Sequence, residues 1–242
     1  MNLIKLSAIS STNDYLKELA VKQMLKDFTV VWAAHQTDGK GQMGSKWEVE
    51  SSKNLTFSVL LNGSYLKIEN IFTVNVMIAN SIHSALSHFS LENIMIKWPN
   101  DILSYNKKIA GVLIENTFKS DGEMQSVVGI GINVSQTNFT HFPQASSLLN
   151  QYGIELDKEE LLTKIVEEIE LRMLAFDQMA ENEWDYYHKY LFRKNKVSSF
   201  EAPNGECFNG IIQKVTRQGQ LVILKETDAL ETYHLKEIKL LY

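Results

Sequence analysis

The chain has 242 residues, 44% hydrophobic and 22% charged, with a formal net charge of -5. This is ordinary globular usage: it excludes disorder, collagen and coiled coil, and with no Lys/Arg block longer than a pair it argues against a nucleic-acid-coating surface, so any bound anion must be met by a local pocket. A lone Cys207 excludes an internal disulfide, MNLIKLSAIS lacks the regions of a secretory signal, and apolar runs such as Phe28 to Ala34 are too short to span a bilayer, so the cytoplasm is expected and no membrane role is indicated.

Ser11, Thr12 and Asn13 precede YLKELAVKQML, whose apolar residues recur at helical spacing, so Ser11 or Thr12 caps a first helix that ends near Asp27. The strand FTVVWAA follows, then a loop from Gln36 to Ser52, then NLTFSVLL, a strand by its β-branched and aromatic content. Ile68 to Phe89 is apolar on one face and free of Gly and Pro, which predicts a helix packed on the sheet. From Asn93 a meander of three strands is expected, NIMIKW, IAGVLIENTF and QSVVGIGINVS, with turns at Tyr105-Asn106 and Ser120-Asp121-Gly122. Leu156 to Ala180 is helical in period with Asp157 as N-cap, and EWDYYHKYL continues as a further helix. Beyond Phe192, short alternating runs (KVSSF, FNGIIQKV, LVILKE, ETYHL, EIKLLY) separated by Pro203-Asn204-Gly205 and Gln218-Gly219-Gln220 predict a small β-barrel. The boundary near Arg193 divides the chain into 1–193 and 194–242, a mixed α+β unit followed by the barrel.

Three stretches carry the candidate chemistry. DGKGQMGSKW, Asp38 to Trp47, approaches a P-loop, but its last motif residues are exchanged and a strand follows where a helix should meet the phosphates. Its glycines still permit close approach of backbone N–H groups to an anion, with Lys40 and Lys46 adding charge, although a Gly-rich segment on its own is more often a flexible surface connection. In KWPNDILSYNKKIAG, Lys97 to Gly111, a tight reversal at Tyr105-Asn106 sets Leu103 opposite Lys108 and puts Asp101 within side-chain reach of Lys108 on the same face. Such a pair on a hairpin is routinely a surface ion pair; five functional side chains in a row, Lys97 to Asp101, favour a site instead. Finally, VGIGINV, Val128 to Val134, puts two glycines inside an apolar strand, which marks close approach of a ligand or of another backbone and is no Rossmann fingerprint.

In this order, SSTN (Ser10 to Asn13), HQTDGKGQMGSKW (His35 to Trp47), KWPNDI (Lys97 to Ile102), KKIAGVLIE (Lys107 to Glu115) and GIGINV (Gly129 to Val134) resemble the motifs of biotin-protein ligases. The resemblance implies a class II synthetase-like catalytic domain, a mixed sheet packed with helices, and an SH3-like C-terminal barrel, the latter matched only by position and strand pattern. With Ser-Thr-Asn beginning at residue 11, the monofunctional form without a DNA-binding module is expected. The implied reaction joins biotin to the α-phosphate of ATP, releases pyrophosphate, and passes biotin from biotinyl-5'-AMP to one lysine of a biotin carboxyl-carrier protein domain. Neither nucleic acid nor membrane is an implied partner; monomer and homodimer both stay open.

By the same resemblance the catalytic residues are Lys108, Lys97, Asp101 and Lys40. Lys108 would bridge the biotin carboxyl and the α-phosphate. Lys97 and Asn100 would lie near the phosphate or the metal, and Asp101 would orient the lysines or the incoming acceptor amine. Biotin binding falls to Ser11, Thr12, Asn13, Gln36, Gly39, Lys40, Gly41, Lys108 and Gly111, and adenylate binding to Gly41, Gln42, Trp47, Asn100, Lys108 and Asn133. For Ser11 and Thr12 plain helix capping is an equally good reading. Mg²⁺ would enter with the nucleotide near Asn100 and Asp101; the six scattered His and the lone Cys207 supply no metal cluster. Lys40 and Gln42 stand where the family's commonest loop has arginines, and Met43 where some members have another, so the bidentate fork is lost and Gln42 brings no cation. Trp184, Tyr186, Tyr187 and Tyr190, at helical spacing, are expected to join the two units. The competing readings are a lipoate or octanoate ligase or transferase on the same fold and a non-catalytic small-ligand regulator.

Overall fold

The computed structural model describes residues 1–48, 50–119 and 122–242. A short strand absent from the sequence reading opens the chain: β1 (Asn2–Leu6) pairs in parallel with β2 (Thr29–Ala33), linked by α1 (Thr12–Lys22). β2 then pairs antiparallel with β3 (Leu55–Leu61). After α2 (Ile71–His88) come β4 (Ile94–Lys97), β5 (Asp101–Ser104), β6 (Lys107–Phe118) and β7 (Met124–Ile132), completing a seven-stranded sheet in the order β1-β2-β3-β7-β6-β5-β4. The expected three-strand meander therefore has a fourth member, because Asp101–Ser104 pairs on both sides. Of the turn expected at Ser120-Asp121-Gly122, the first two residues lie outside the described residues.

Two helix ends differ from expectation. α1 stops at Lys22 rather than near Asp27, and the apolar side chains that continued its period, Val21 and Met24, are 88% and 100% exposed: they have nothing to pack against. The Asp27 carboxylate instead receives the Phe28 and Asn62 N–H groups and the Tyr65 hydroxyl. The helix expected over Leu156–Ala180 breaks at Ala175 into α4 (Lys158–Leu174) and α5 (Phe176–Lys189), after a short α3 (Leu148–Tyr152) the sequence reading did not identify. Leu171 and Leu174 face solvent, and the break turns Phe176 inward onto Tyr65, ring centroids 5.9 Å apart.

All seven residues of β3 are buried because both faces of the sheet are covered. Leu55, Phe57, Val59 and Leu61 belong to the large core shared with α2 and α4, whereas Leu60 joins Val31, Val127 and Leu16 of α1 in a smaller one. The second face matters for function, since beyond Leu16 it opens into a cavity.

The last part of the chain forms a five-stranded antiparallel sheet from β8 (Val197–Glu201), β9 (Cys207–Val215), β10 (Leu221–Lys225), β11 (Leu230–Tyr233) and β12 (Lys239–Leu241), in the order β11-β10-β9-β8-β12. Its junction with the first sheet uses polar groups: Trp98 Nε1 donates to Gly219 O at 2.9 Å, and His188 Nε2 accepts from Val215 N at 3.0 Å. Of the four aromatics expected there, Trp184 carries the Arg217 guanidinium over its ring at 4.7 Å, but Tyr187 is wholly buried and Tyr186 and Tyr190 close on His83 of α2. Cys207 is exposed and free. Among the described residues, no helix is long and apolar enough to cross a membrane.

Candidate active site

The floor of the cavity is made by the positions of β3, β7 and β6 that face α1. Gly131 is in register with Thr56 on one side and Gly111 on the other, and Gly129 with Ser58 and Leu113. A side chain at Gly129 would put its Cβ 2.5 Å from Asn13 Oδ1, and one at Gly131 would meet Trp47 Cε2 at 2.4 Å. The close approach anticipated for this strand is thus made by two side chains of the chain itself, and the hollow they leave measures about 180 Å³.

One wall is the start of α1. Ser11 is the N-cap, its Oγ accepting from Asp14 N at 3.4 Å, and it also lines the cavity. Thr12 donates through N and Oγ1 to Gln36 Oε1 at 2.7 and 2.9 Å, and Ser58 Oγ donates to Asn13 Oδ1 at 2.5 Å and lies 2.7 Å from Thr12 Oγ1. Asn13 Nδ2 in turn donates to Glu115 Oε2 at 2.7 Å. Ser11, Thr12 and Asn13 are all at most 3% exposed, so this wall is a fixed polar lattice in a buried place.

The loop forms the lid. It is an ordered reversal: Trp47 N donates to Gly39 O at 2.8 Å, Gly41 N to Ser45 O at 2.7 Å, and a single 3-10 turn spans Gln42–Gly44. Lys40 Nζ lies 2.5 Å from Asp14 Oδ2, and Lys17 reaches Asp14 at 2.9 Å and Glu115 at 2.8 Å. Burial alone would raise the Asp14 pKa, but the hydrogen bonds from Lys40 and Lys17 outweigh it and hold the carboxyl below its ordinary range. Trp47 lays its ring over Gly131, with Lys108 Nζ 5.6 Å from the ring centroid; among the described residues its buried Nε1 has no hydrogen-bond partner.

The opposite wall is the hairpin of β4, β5 and β6. Its register is Leu103 opposite Lys108, with an irregularity between Ile102 and Leu103. Lys108 Nζ reaches Asp101 Oδ1 at 2.6 Å, while Lys97 Nζ stands 3.5 Å from Oδ2, so one carboxylate aims two ammoniums. Lys108 is pinned by main-chain bonds on both sides, N to Gln144 O at 2.8 Å and O from Ser146 N at 2.9 Å. Asn100 Nδ2 donates to Val112 O at 2.6 Å, and Asn100 and Asp101 both line the cavity.

Of the residues singled out in the sequence, Ser11, Thr12, Asn13, Gln36, Lys40, Gly41, Gln42, Trp47, Asn100, Asp101, Lys108 and Gly111 line this one cavity. Gly39 supports the loop from behind, and Lys97 stands behind Asp101, 5.6 Å from the Tyr242 ring. Asn133 is not brought to the wall: it is buried, and its Nδ2 donates to Ser146 O at 3.0 Å, bracing the segment that pins Lys108. Sequence reading missed Asp14, Ser58 and Glu115, which hold the others in place. The available signals were a polar residue inside the apolar run LTFSVLL and an acid in the first turn after SSTN, either of which reads as ordinary usage.

Among the described residues no three His, Cys, Asp or Glu side chains converge into a metal-holding group. What the rim offers a hard cation is Asn100 Oδ1 and the Asp101 carboxylate. That donor set suits an octahedral ion that keeps waters and shares phosphate oxygens with a nucleotide.

Residues 6–133 match the model of the biotin/lipoate A/B protein ligase family. The bifunctional ligase/repressor BirA of Salmonella typhimurium is 28% identical over 234 residues, 92% of this chain and 69% of that protein. A biotin--[acetyl-CoA-carboxylase] ligase of Mycobacterium tuberculosis is 27% identical over 221 residues, 88% of this chain and 79% of its own length. In structure, the biotin protein ligase from Aquifex aeolicus in complex with biotin and ATP superposes with a TM-score of 0.82 at 26% identity, covering 99% of this chain and 98% of that one.

Proposed function

The chain belongs to the biotin/lipoate A/B protein ligase family, and from that membership we infer that it is an ATP-dependent biotin-protein ligase. Of the relatives named above, the Mycobacterium tuberculosis and Aquifex aeolicus proteins are biotin ligases, which favours biotin over lipoate as the acid. One observation carries the reading further. Lys108, paired with Asp101 at 2.6 Å, and the loop bearing Lys40 face each other across a cavity whose remaining wall is the Thr12–Gln36 amide lattice.

In this reading the uncharged ring of biotin is held by Ser11, Thr12, Asn13 and Gln36, whose donors and acceptors suit a urea-like group. Its carboxylate points at Lys108 and at the N–H groups of the loop. The carboxylate oxygen attacks the α-phosphorus of ATP, the bond to pyrophosphate breaks, and a mixed anhydride forms. Two anions must meet for this to happen, and preorganised ammoniums in a water-poor pocket stabilise the charge developing on both. Mg²⁺ accompanying the nucleotide would sit by Asn100 and Asp101 and neutralise phosphate charge. The loop, with Trp47 as its inner face, excludes water from an anhydride that hydrolyses readily. In the second step a lysine amine of the acceptor attacks the biotinyl carbonyl and AMP leaves. That amine must first lose a proton, and Asp101 is the carboxylate at hand. The acceptor is a biotin carboxyl-carrier domain; residues 1–193 are the catalytic unit, and 194–242 the appended barrel, which braces Trp98 and Lys97.

Biotin-dependent exchange of labelled pyrophosphate into ATP tests this. Wild type should exchange with biotin and not with lipoate, and Lys108→Ala should lose roughly 100- to 1,000-fold, the usual cost of one preorganised electrostatic group. Exchange with lipoate alone would move the chain to the other branch of the family.

A further inference from the structure

Tyr242, which follows β12, stands against the hairpin that carries the reacting lysines. Its ring lies 5.6 Å from Lys97 Nζ, its main-chain O accepts from Gln144 Nε2 at 3.0 Å, and its ring meets Phe192 edge-on at 5.2 Å. Gln144 O in turn accepts from Lys108 N at 2.8 Å, and Phe192 N donates to Ile96 O at 2.8 Å, beside Lys97 in β4. The contacts close a ring: Lys108 to Gln144, Gln144 to Tyr242, Tyr242 to Lys97, Lys97 to Asp101, and Asp101 back to Lys108. Tyr242 is its single member from the 194–242 unit.

Asp101 holds its two lysines unequally. Lys108 Nζ is 2.6 Å from Oδ1, a charge-assisted hydrogen bond, whereas the 3.5 Å from Lys97 Nζ to Oδ2 exceeds the roughly 2.7–2.9 Å of such a bond and leaves the direction of Lys97 open. The face of Tyr242 supplies that direction. Lys5, Lys108 and Lys225 also lie over rings, but each holds a carboxylate as well, at 2.7, 2.6 and 3.1 Å, and Lys189 lies over its sequence neighbour Tyr190. An aromatic face attracts an ammonium through its quadrupole and does not neutralise it. The charge of Lys97 therefore stays available to an incoming anion, where a carboxylate in place of the ring would cancel it. Burial, and then the Asp101 charge, push the Tyr242 hydroxyl up to about 12, so the ring remains neutral through mildly alkaline pH.

We propose that Tyr242 is a positioning residue of the adenylating site, its ring aiming the Lys97 ammonium at the phosphates of the nucleotide while Asp101 stays bonded to Lys108. The proposal rests on the ligase reading. A lysine side chain has four rotatable bonds, and fixing them before the nucleotide arrives removes that ordering from the reaction itself. The effect belongs to the step with ATP. Biotin is held by the Ser11–Gln36 wall, and Lys97 stands behind Asp101, away from it.

The test reads biotin-dependent pyrophosphate exchange in the full chain. Tyr242→Leu should lower kcat/KM for ATP about 3- to 30-fold, the range of a cation–π contact from exposed to desolvated, and leave the KM for biotin within about twofold. Tyr242→Phe should stay within about twofold of wild type, because the ring carries the effect. In a Lys97→Gln background the Tyr242→Leu loss should shrink to under about twofold. A graded series separates aim from packing: increasingly fluorinated phenylalanines at position 242 keep the shape of the ring while draining its face of negative charge, so exchange should fall stepwise along the series. A flat series overturns the proposal. So does an equal Tyr242→Leu loss in both backgrounds, which assigns the ring to packing, a Tyr242→Phe loss as large as that of Leu, which assigns the effect to the hydroxyl, or a loss confined to the KM for biotin. Absence of biotin-dependent exchange in wild type is a different failure, that of the ligase reading. Acylation of Lys97 by acetic anhydride, followed by mass spectrometry, then still reads the contact: the rate should be higher in Tyr242→Leu than in Tyr242→Phe, and equal rates overturn the aiming of Lys97 by the ring.

Discussion

Gly131→Ala isolates the contribution of the seated tryptophan. The added Cβ would stand 2.4 Å from Trp47 Cε2, 2.6 Å from Cζ2 and 2.7 Å from Nε1. Carbon contacts settle near about 3.5 Å, so the ring would have to retreat by roughly 1 Å. Retreat is blocked, since Lys108 Nζ covers the ring at 5.6 Å and the Trp47 main chain is tied to Gly39 O at 2.8 Å. Overpacking of this kind costs about 1–3 kcal/mol, which is roughly 5- to 150-fold in a step that needs the ring in place. The assay is pyrophosphate exchange as kcat/KM for ATP, run as a cycle with Trp47→Leu. Gly131→Ala should cost roughly tenfold or more in the wild-type background and under about twofold once the indole is gone, because the clash is with that ring. Equal losses in both backgrounds, or no loss in the first, would refute the steric argument.

Asp101→Asn keeps the shape of the hub between Lys97 and Lys108 but removes the charge that aims both; it should slow transfer to the acceptor at least about tenfold more than pyrophosphate exchange, measured by single-turnover transfer from preformed biotinyl-5'-AMP. Arg172 is a buried guanidinium held by Glu183 Oε2 at 3.0 Å and by Glu168, and Asn80 donates to the same Glu183 oxygen at 2.6 Å. Glu183→Ala should therefore cost about 3–5 kcal/mol in urea unfolding, with Glu183→Gln milder. His83 is neutral when folded: Nε2–H donates to Ile94 O at 3.1 Å and Nδ1 accepts from the Tyr186 hydroxyl at 2.7 Å. Burial holds its pKa down to about 4, against 6.5 when free. The unfolded chain thus takes up the proton first, and the stabilisation, up to about 3 kcal/mol, is complete above pH 6.5 and is lost as pH falls to 4. The stability gap between wild type and His83→Gln should narrow over that window.

Much of this was legible in the sequence because the relevant signals are local. The caps at Ser11 and Asp157 and the strands from Thr29 to Ile132, Asp101–Ser104 excepted, follow from side-chain chemistry or period within a few residues. The pairing of Asp101 with Lys108 followed from a two-residue turn and the pleat alone, despite the irregularity between them. What the sequence hid is decided at a distance. β1 needs β2 beside it, since five residues with one alternation carry little signal, and the helix breaks after Lys22 and at Ala175 depend on which apolar residues find a core. Asn133 shows the same limit: nothing in its motif foretold that its amide ties to Ser146, thirteen residues on.

The electrostatics of the site follow from how its cations are held. Lys40 is aimed by Asp14, and Lys97 and Lys108 by Asp101, so every ammonium credited with a role rests on a carboxylate of the chain. A substrate carboxylate or phosphate arriving there exchanges one ion pair for another instead of desolvating a bare cation, which keeps binding reversible. Asp101 is unequally bound, Oδ1 at 2.6 Å and Oδ2 at 3.5 Å, so under the proposed mechanism Oδ2 is the oxygen with slack to accept a proton from an incoming amine.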